Sequence, residues 1–177
     1  TQSTQDELDY ARLLGYYLSE GYVERQATKL NNPCRLILAN TNEIILDDMI
    51  RCLQSCTTAK ISRRYASNSP CQILKVHSKE FCTRLLEDGG HLALHKVLSE
   101  DVLNWNTDCL LELMVGFING DGWVDRYDGS VCMATASRQL AEQLRLILMK
   151  LGGCPSIRLR IVTKPAPNQT SDKPCYM

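Results

Sequence analysis

Leu13-Leu14-Gly15-Tyr16-Tyr17-Leu18-Ser19-Glu20-Gly21 and Met114-Val115-Gly116-Phe117-Ile118-Asn119-Gly120-Asp121-Gly122 are two versions of one unit, far apart in a chain of 177 residues. Each is an apolar helical run with an internal glycine, then a small residue, a carboxylate and a closing glycine. Each leads into an aromatic residue and a strand-like segment, Tyr22-Val23-Glu24-Arg25-Gln26 and Trp123-Val124-Asp125-Arg126-Tyr127. A repeated unit constrains the architecture before anything else does, because each copy has to pack in an equivalent way.

Both copies break the same helix rules. A glycine inside a helix costs ~1 kcal/mol relative to alanine. A carboxylate in the last turn faces the negative end of the helix dipole. Gly21 and Gly122 are expected to close the helices as left-handed caps. One cause accounts for both violations in both copies. The helices pack side by side in parallel, with Gly15 and Gly116 letting the backbones touch and Ser19 and Gly120 continuing the approach. Their C-terminal ends then bring Glu20 and Asp121 together. Two adjacent carboxylates repel and one pKa rises unless a cation joins them. Mg²⁺, a hard cation that takes oxygen ligands, suits such a pair.

The element order also repeats. The first half reads as helix, two strands, helix (Asn42 to about Cys56), strands Ala59–Tyr65 and Cys71–His77, then a helix from Ser78. The second half restarts after Gly122, with a hairpin signal at Asp128-Gly129, a helix capped by Ser137 and a strand over Ser156–Val162. Leu38-Ala39 aligns with Met133-Ala134, and Ile61-Ser62-Arg63-Arg64 with Ile157-Arg158-Leu159-Arg160. After Val162 the pattern gives way to a turn-rich stretch, so the second half reads as incomplete, short of a strand and a helix. The expected organisation is a first half at 1–90, a linker at 91–107 and a second half at 108–177.

These motifs resemble those of the LAGLIDADG homing endonucleases in their single-chain, two-motif form, from about Asp6 to Val162. Tyr17 and Leu18 replace the usual central residues of the first copy, and Glu20 replaces the commoner Asp. The resemblance implies an α+β fold of two pseudo-symmetric αββαββα halves, with the motif helices packed at the centre and two curved antiparallel sheets astride DNA. It implies metal-dependent phosphodiester hydrolysis by a monomer at a long, partly symmetric double-stranded DNA site. Glu20 and Asp121 would be catalytic ligands of Mg²⁺ or another divalent cation, joined by the backbone carbonyls of Ser19 and Gly120. Lys96, in His95-Lys96-Val97-Leu98, lies where intein-borne members place a functional lysine, although Ser99 stands where they have proline. It is the candidate for stabilising charge at the reacting phosphate. Two other readings remain open: a maturase that binds intron RNA, and a non-catalytic DNA-binding regulator. Thr1 is no splicing nucleophile and no terminal His-Asn pair is present, so splicing by the chain itself is not expected.

Charge distribution fits a nucleic-acid partner better than the formal net charge of zero does. Ser55 to Lys79 and Gln143 to Ser171 contain no acid, which leaves a basic patch in each half to meet phosphates. Lys60, Arg63, Arg64, Gln72 and Lys75 are the DNA-binding candidates of the first patch, and Arg158, Arg160 and Lys164 those of the second. In Ser156–Val162 a period of two places the arginines on one face and the aliphatics on the other. Gln26, Asn40 and Gln72 are candidate readers of adenine. The nine cysteines are scattered without a C-x-x-C pair, a pattern of reduced core thiols rather than a zinc or disulfide framework. Cys52 with Cys56, and His91 with His95, are the pairs spaced for a metal if both segments are helical. No run is long and apolar enough to span a membrane and no leader is evident, so a soluble, intracellular protein is expected.

Overall fold

The computed structural model describes residues 3–24, 34–162 and 173–176. The first half comprises helix α1 (Gln5–Glu20), strands β1 (Gly21–Glu24) and β2 (Arg35–Asn40), helix α2 (Glu43–Cys56), strands β3 (Ile61–Tyr65) and β4 (Gln72–His77), and helix α3 (Lys79–Gly89). A single 3-10 turn at Ala93–His95 and the short α4 (Glu100–Leu103) lead to α5 (Thr107–Asp121). Then come β5 (Gly122–Val124), β6 (Val131–Met133), α6 (Arg138–Lys150), β7 (Leu159–Val162) and β8 (Lys173–Tyr176). Side chains cap the helix starts. Thr4 closes a capping box with Glu7 on α1, and Asn42, Ser78, Asn106 and Ser137 each accept a backbone N–H of the helix they open.

Strands β1-β2-β4-β3 form one antiparallel sheet. The second half repeats that order in pieces. β5 pairs with β6, β7 pairs with β8, and a bridge between Thr135 and Tyr176 links the two hairpins. The mixed α and β composition, the antiparallel sheets and the central helix pair follow the expected α+β fold. The strand expected at Ser156–Val162 begins only at Leu159. Arg158 therefore lies outside it, and the expected alternation extends to Arg160 alone.

α1 and α5 make the most extensive contact between elements. They run parallel: Asn106 donates to Ser3 Oγ at 2.7 Å at one end, and Gly120 lies against Ser19 and Glu20 at the other. Leu13, Leu14, Tyr16, Tyr17, Leu113 and Phe117 are fully buried there, each such side chain stabilising the fold by roughly 1.5–3 kcal/mol over exposure. Polar pairs tie the same junction. Arg12 bridges Glu112 of α5 at 2.5 Å and Asp48 of α2 at 3.3 Å, and the Tyr16 hydroxyl donates to Asp48 at 2.6 Å. The segment between α3 and α5 is pinned as well: Gln143 exchanges two hydrogen bonds of 2.8 Å with the Leu98 backbone. Among the described residues no helix is long and apolar enough to cross a membrane.

Candidate nucleic-acid interface and paired-acid site

The contact at the motif glycines is backbone on backbone. A Cβ on Gly15 would collide with the Leu113 carbonyl oxygen and lie 2.6 Å from Phe117 N. One on Gly116 would collide with the Arg12 carbonyl oxygen. Gly120 is small because a Cβ there would strike the Ser19 hydroxyl and come within 3.0 Å of Glu20 Cγ. Gly15 and Gly116 thus lie where the two helix backbones approach each other. The closing glycines correct their expectation. Gly21 and Gly122 are extended, with φ of −110° and −90°, and not left-handed. Glycine is needed there for space: a Cβ on Gly21 would lie 2.7 Å from Leu38 Cδ2, and one on Gly122 would meet Ile118.

The helix ends bring Glu20 and Asp121 close enough to repel. Burial, then the charge of Asp121, pushes the Glu20 carboxyl up to about 7, while Lys96 opposes the rise. Burial also raises Asp121, again against Lys96. Asn40 Nδ2 donates to Glu20 Oε1 at 3.3 Å, and Asn40 Oδ1 accepts the Asn42 N–H at 2.8 Å. Asn40 thus holds the acid in place. The signal for this role was its place at the end of β2, beside the motif it follows. The Ser19 hydroxyl is spent on the carbonyls of Gly15 and Tyr16. Two repelling carboxylates of raised pKa are hard oxygen donors for which a divalent cation is a fitting partner. No cluster of three or more His, Cys, Asp or Glu able to hold a metal exists among the described residues, so the zinc pairings are not built. His91 instead contacts the Val23 carbonyl, and burial pushes the Cys52 and Cys56 thiols up to about 12.

Lys96, the candidate for stabilising charge at the phosphate, lies beneath the end of α1 and close enough to Glu20 and Asp121 to feel their charge. Its side chain is buried at 5% exposure. Nζ donates to the carbonyls of Tyr17, Leu18 and Gly21 at 2.6, 2.8 and 2.8 Å. Only an ammonium has three N–H groups, and all three are used. The cation caps the end of α1, sharing the Tyr17 carbonyl with the Gly21 N–H. Burial lowers its pKa to about 8 against the pull of Asp121 and Glu20. Lys96→Met is expected to cost about 1–3 kcal/mol at pH 7 through the orphaned carbonyls. In the wild type the unfolded state holds more protons than the folded state between pH 8 and the ordinary lysine value of 10.5, so stability rises with pH across that window. Denaturant melts of both proteins at pH 7 and 10 check the cost and that slope, which the variant should lack.

The four-stranded sheet has two faces. Leu36, Leu38, Leu74 and Val76 point to the helices and are buried. The register places Arg64 opposite Ile73, and Lys75 opposite both Ser62 and Ile37, on the other face. Tyr22, Arg35 and His77 share that outer face; sequence reasoning missed them although their period-two placement was available. Two DNA-binding candidates, Arg63 and Gln72, lie on the face that carries Leu74. Gln72 is 4% exposed and donates to Glu43, while Arg63 pairs with Glu43, with Asp47 at 3.0 Å and with Gln72 at 2.5 Å. The acids at the start of α2 neutralise Arg63 and bury Gln72. Lys60 is exposed ahead of β3, and Arg158 and Arg160 are exposed in the second half. With Arg145 the latter two line a cleft of about 510 Å³ beside β6. Gln26 and Lys164 lie outside the described residues.

Comparison with known proteins follows this geometry. Residues 108–171 match the family model of the LAGLIDADG-like domain. An iron–sulfur cluster assembly SufBD family protein of Mycobacterium tuberculosis is 29% identical over 86% of the chain, and a DNA polymerase of Thermococcus kodakarensis 33% identical over 80%. The chain spans only 18% and 8% of those relatives. Among solved structures, a variant of the homing endonuclease I-DmoI in complex with its target DNA and Mn superposes with a TM-score of 0.68. It is 16% identical, covering 98% of this chain and 88% of that one. Other I-DmoI structures contain DNA with Ca, or are determined in the presence of Mg. The N-terminal LAGLIDADG domain of DUF199/WhiA superposes with a TM-score of 0.58 at 11% identity, covering 100% of this chain and 78% of that one. The second half of the chain is thus matched as a LAGLIDADG-like domain, and the chain as a whole has the fold of the LAGLIDADG homing endonucleases.

Proposed function

We propose that the chain is a site-specific double-strand DNA endonuclease of the homing type, with a divalent cation such as Mg²⁺ at Glu20 and Asp121. The observation that carries this reading is the convergence of those two acids at the ends of two parallel helices whose backbones touch at Gly15 and Gly116. The cation, when bound, supplies charge neutralisation at the phosphate and an activated water. The chain's own residues do the rest. Glu20 and Asp121 hold the cation, with the carbonyls of Ser19 and Gly120 as further ligands. Asn40 fixes the Glu20 carboxylate, and Lys96 fixes the end of α1 that carries it. Residues 1–90 and 108–177 each take one part of a partly symmetric duplex site, joined by the linker at 91–107, in a monomer.

The duplex surface in this reading is the outer sheet face with Arg64 and Lys75, together with Lys60, Arg158 and Arg160. Arg64→Ala or Arg160→Ala is expected to leave stability within about 0.5 kcal/mol, because both side chains are exposed. A lost phosphate contact reduces the salt slope of DNA binding by about one unit. A lost base contact costs about 1–3 kcal/mol at one position. Gln72→Ala should do the reverse, lowering stability with DNA affinity kept. Salt-dependent titrations and melts of the three variants check this. Greater loss of affinity for a structured intron RNA than for duplex DNA would favour the maturase reading.

The curated relatives support an intein host. Proteins named for iron–sulfur cluster assembly and for DNA polymerase, and a third named for ATP-dependent DNA helicase Hel308, match this one segment and share no function by name. A segment recurring in unrelated hosts is what a mobile inserted domain leaves behind. The second reading is a DNA-binding module of the same fold that does not cut. Incubation of the chain with a plasmid library of randomised sites in Mg²⁺ decides between them. Recovery of linear plasmids sharing one long site supports the endonuclease. Retained binding without cutting at any site supports the module.

A further inference from the structure

Leu92 stands in a backbone conformation that leucine avoids. Its φ is 63° and its ψ 149°, a region left almost entirely to glycine. The other non-glycine residue at positive φ among the described residues is Asn68, in the turn between β3 and β4, where asparagine is tolerated. Packing does not offset the strain, since Leu92 is 56% exposed and Leu94 beside it 49%. The loop is held by its ends instead. The Tyr17 hydroxyl donates to the Gly90 carbonyl at 2.6 Å, and His91 Nε2 contacts the Val23 carbonyl at 3.0 Å. The N–H of His95 donates to the Leu92 carbonyl at 3.0 Å, and a bridge between Gly90 and Lys96 closes the base. Backbone strain fixed by its surroundings gathers where a chain binds or reacts.

The loop lies beside the paired acids. Lys96 Nζ donates to the carbonyl of Gly21, which follows Glu20 in the chain. Val23, which His91 contacts, stands beyond Glu20 along an extended strand, within a span of about 10 Å. A duplex whose phosphates reach the acids is therefore within reach of Leu92 and Leu94. The charge of the loop suits that partner. Between Asp88 and Glu100 the chain has no acid, while His91, His95 and Lys96 bracket the two leucines. The acids also decide which groove arrives. They are close enough for the charge of Asp121 to act on Glu20. One compact centre serving both strands meets them across the minor groove, about 6 Å wide against about 12 Å for the major groove.

We propose that Leu92 and Leu94 form an apolar wedge that enters the minor groove of the bound duplex beside the cut and opens one base step. This rests on the endonuclease reading and adds to it a pair of residues that selects sequence without a hydrogen bond to any base. Leucine side chains pushed between base pairs partly unstack them and kink the duplex. Unstacking is easiest at the pyrimidine–purine steps TA and CA/TG, so the wedge favours such a step at the place of cutting. The strained backbone gives the loop its use. With both ends of the loop pinned, it keeps a leucine in solvent where glycine would relax and present nothing.

The test uses the full chain and the site recovered from the randomised library, with 2-aminopurine placed in turn at each base beside the cut. With Ca²⁺ present, wild-type binding is expected to raise the fluorescence of one such base at least about 3-fold as its step unstacks. Leu92→Gly and Leu94→Ala should each abolish that rise, and Leu92→Met, which keeps an apolar wedge, should retain it. In Mg²⁺ the wild type should cut a site with a pyrimidine–purine step at least about 10-fold faster than one without it, and Leu92→Gly should reduce that ratio to about 2-fold. Stability separates a wedge from a packing residue. Leu92→Gly relieves strain and is expected to melt about 2–4 °C above the wild type, so its defect does not come from unfolding. An unchanged fluorescence rise and step preference in both Leu92→Gly and Leu94→Ala, with wild-type cutting, overturn the wedge and leave the endonuclease reading standing. So does a Leu92→Gly variant that melts below the wild type, which would make the leucine a packing residue. A wild-type chain that binds no duplex removes both readings together.

Discussion

Glu20→Gln and Asp121→Asn are each expected to lower the rate of DNA cleavage by at least about 100-fold while DNA binding is retained. Groups that only orient a metal ligand cost up to about 100-fold when removed, so loss of a charged ligand should reach that bound or pass it. The amide keeps the shape of the acid, which leaves the helix contact and the DNA surface intact. The same Glu20 substitution should act on stability in the opposite direction. In the metal-free protein Glu20 titrates near 7 in place of 4.5. Between those values the folded state holds the extra proton, so stability falls as pH rises through the window, and the full cost is present above 7. Solvent screening leaves about 1–2 kcal/mol of it. Metal-free Glu20→Gln should therefore match the wild type at pH 4 and exceed its stability at pH 8. Added Mn²⁺ should raise the melting point of the wild type alone. At subsaturating metal, cleavage by the wild type should decline as the pH falls below 7, because the proton then competes with the cation for Glu20. Wild-type cutting rates in either variant, with Mg²⁺ present, would remove the acids from the chemistry.

The central helix pair was legible because its signal is a conflict. Glycine inside a helix and an acid at its negative end are each unfavourable, and their repetition in one register pointed to a shared contact and a shared charge. Sheet faces were less legible. Arg64 and Lys75 fell on the outer face as period two requires, but Arg63 and Gln72 were assigned by residue type. Their partners, Glu43 and Asp47, lie on a helix that only the tertiary fold brings beside the strand. The surroundings of Lys96 are illegible in the sequence for the same reason. Its position in the sequence told of a functional lysine, while its chemistry is set by three carbonyls some seventy-five to seventy-nine residues away along the chain. The closing glycines failed differently. Local turn propensity argued for positive φ, but packing against Leu38 and Ile118 decided the matter, and an extended backbone without a side chain met the need.

Gly116→Leu should leave no folded, cutting protein, and the smaller changes Gly15→Ala and Gly116→Ala should each destabilise by about 2–4 kcal/mol. Helix propensity alone predicts the opposite sign, a gain of ~1 kcal/mol for alanine. Packing outweighs it because of what the new Cβ meets. At Gly15 the obstacles are the Leu113 carbonyl and the Phe117 amide; at Gly116 they are the Arg12 carbonyl and the Tyr16 amide. These are helix backbone atoms, which cannot rotate away as a flexible side chain would. The helices must separate, and overpacking of a well-packed contact costs about 1–3 kcal/mol or more. Separation also pulls apart the ends that carry Glu20 and Asp121. A displacement of ~1 Å at a reacting centre costs on the order of 100-fold in rate, so an alanine variant that still folds should cut poorly even below its melting point. Urea unfolding and cleavage at a temperature where the variant is fully folded separate the two effects. Gly152→Ala serves as a contrast: a Cβ there meets nothing within 4 Å, and any loss reflects only its left-handed backbone. If Gly15→Ala unfolds at the wild-type urea midpoint and cuts at the wild-type rate, the two backbones are not in contact, and the convergence of the acids loses its physical basis.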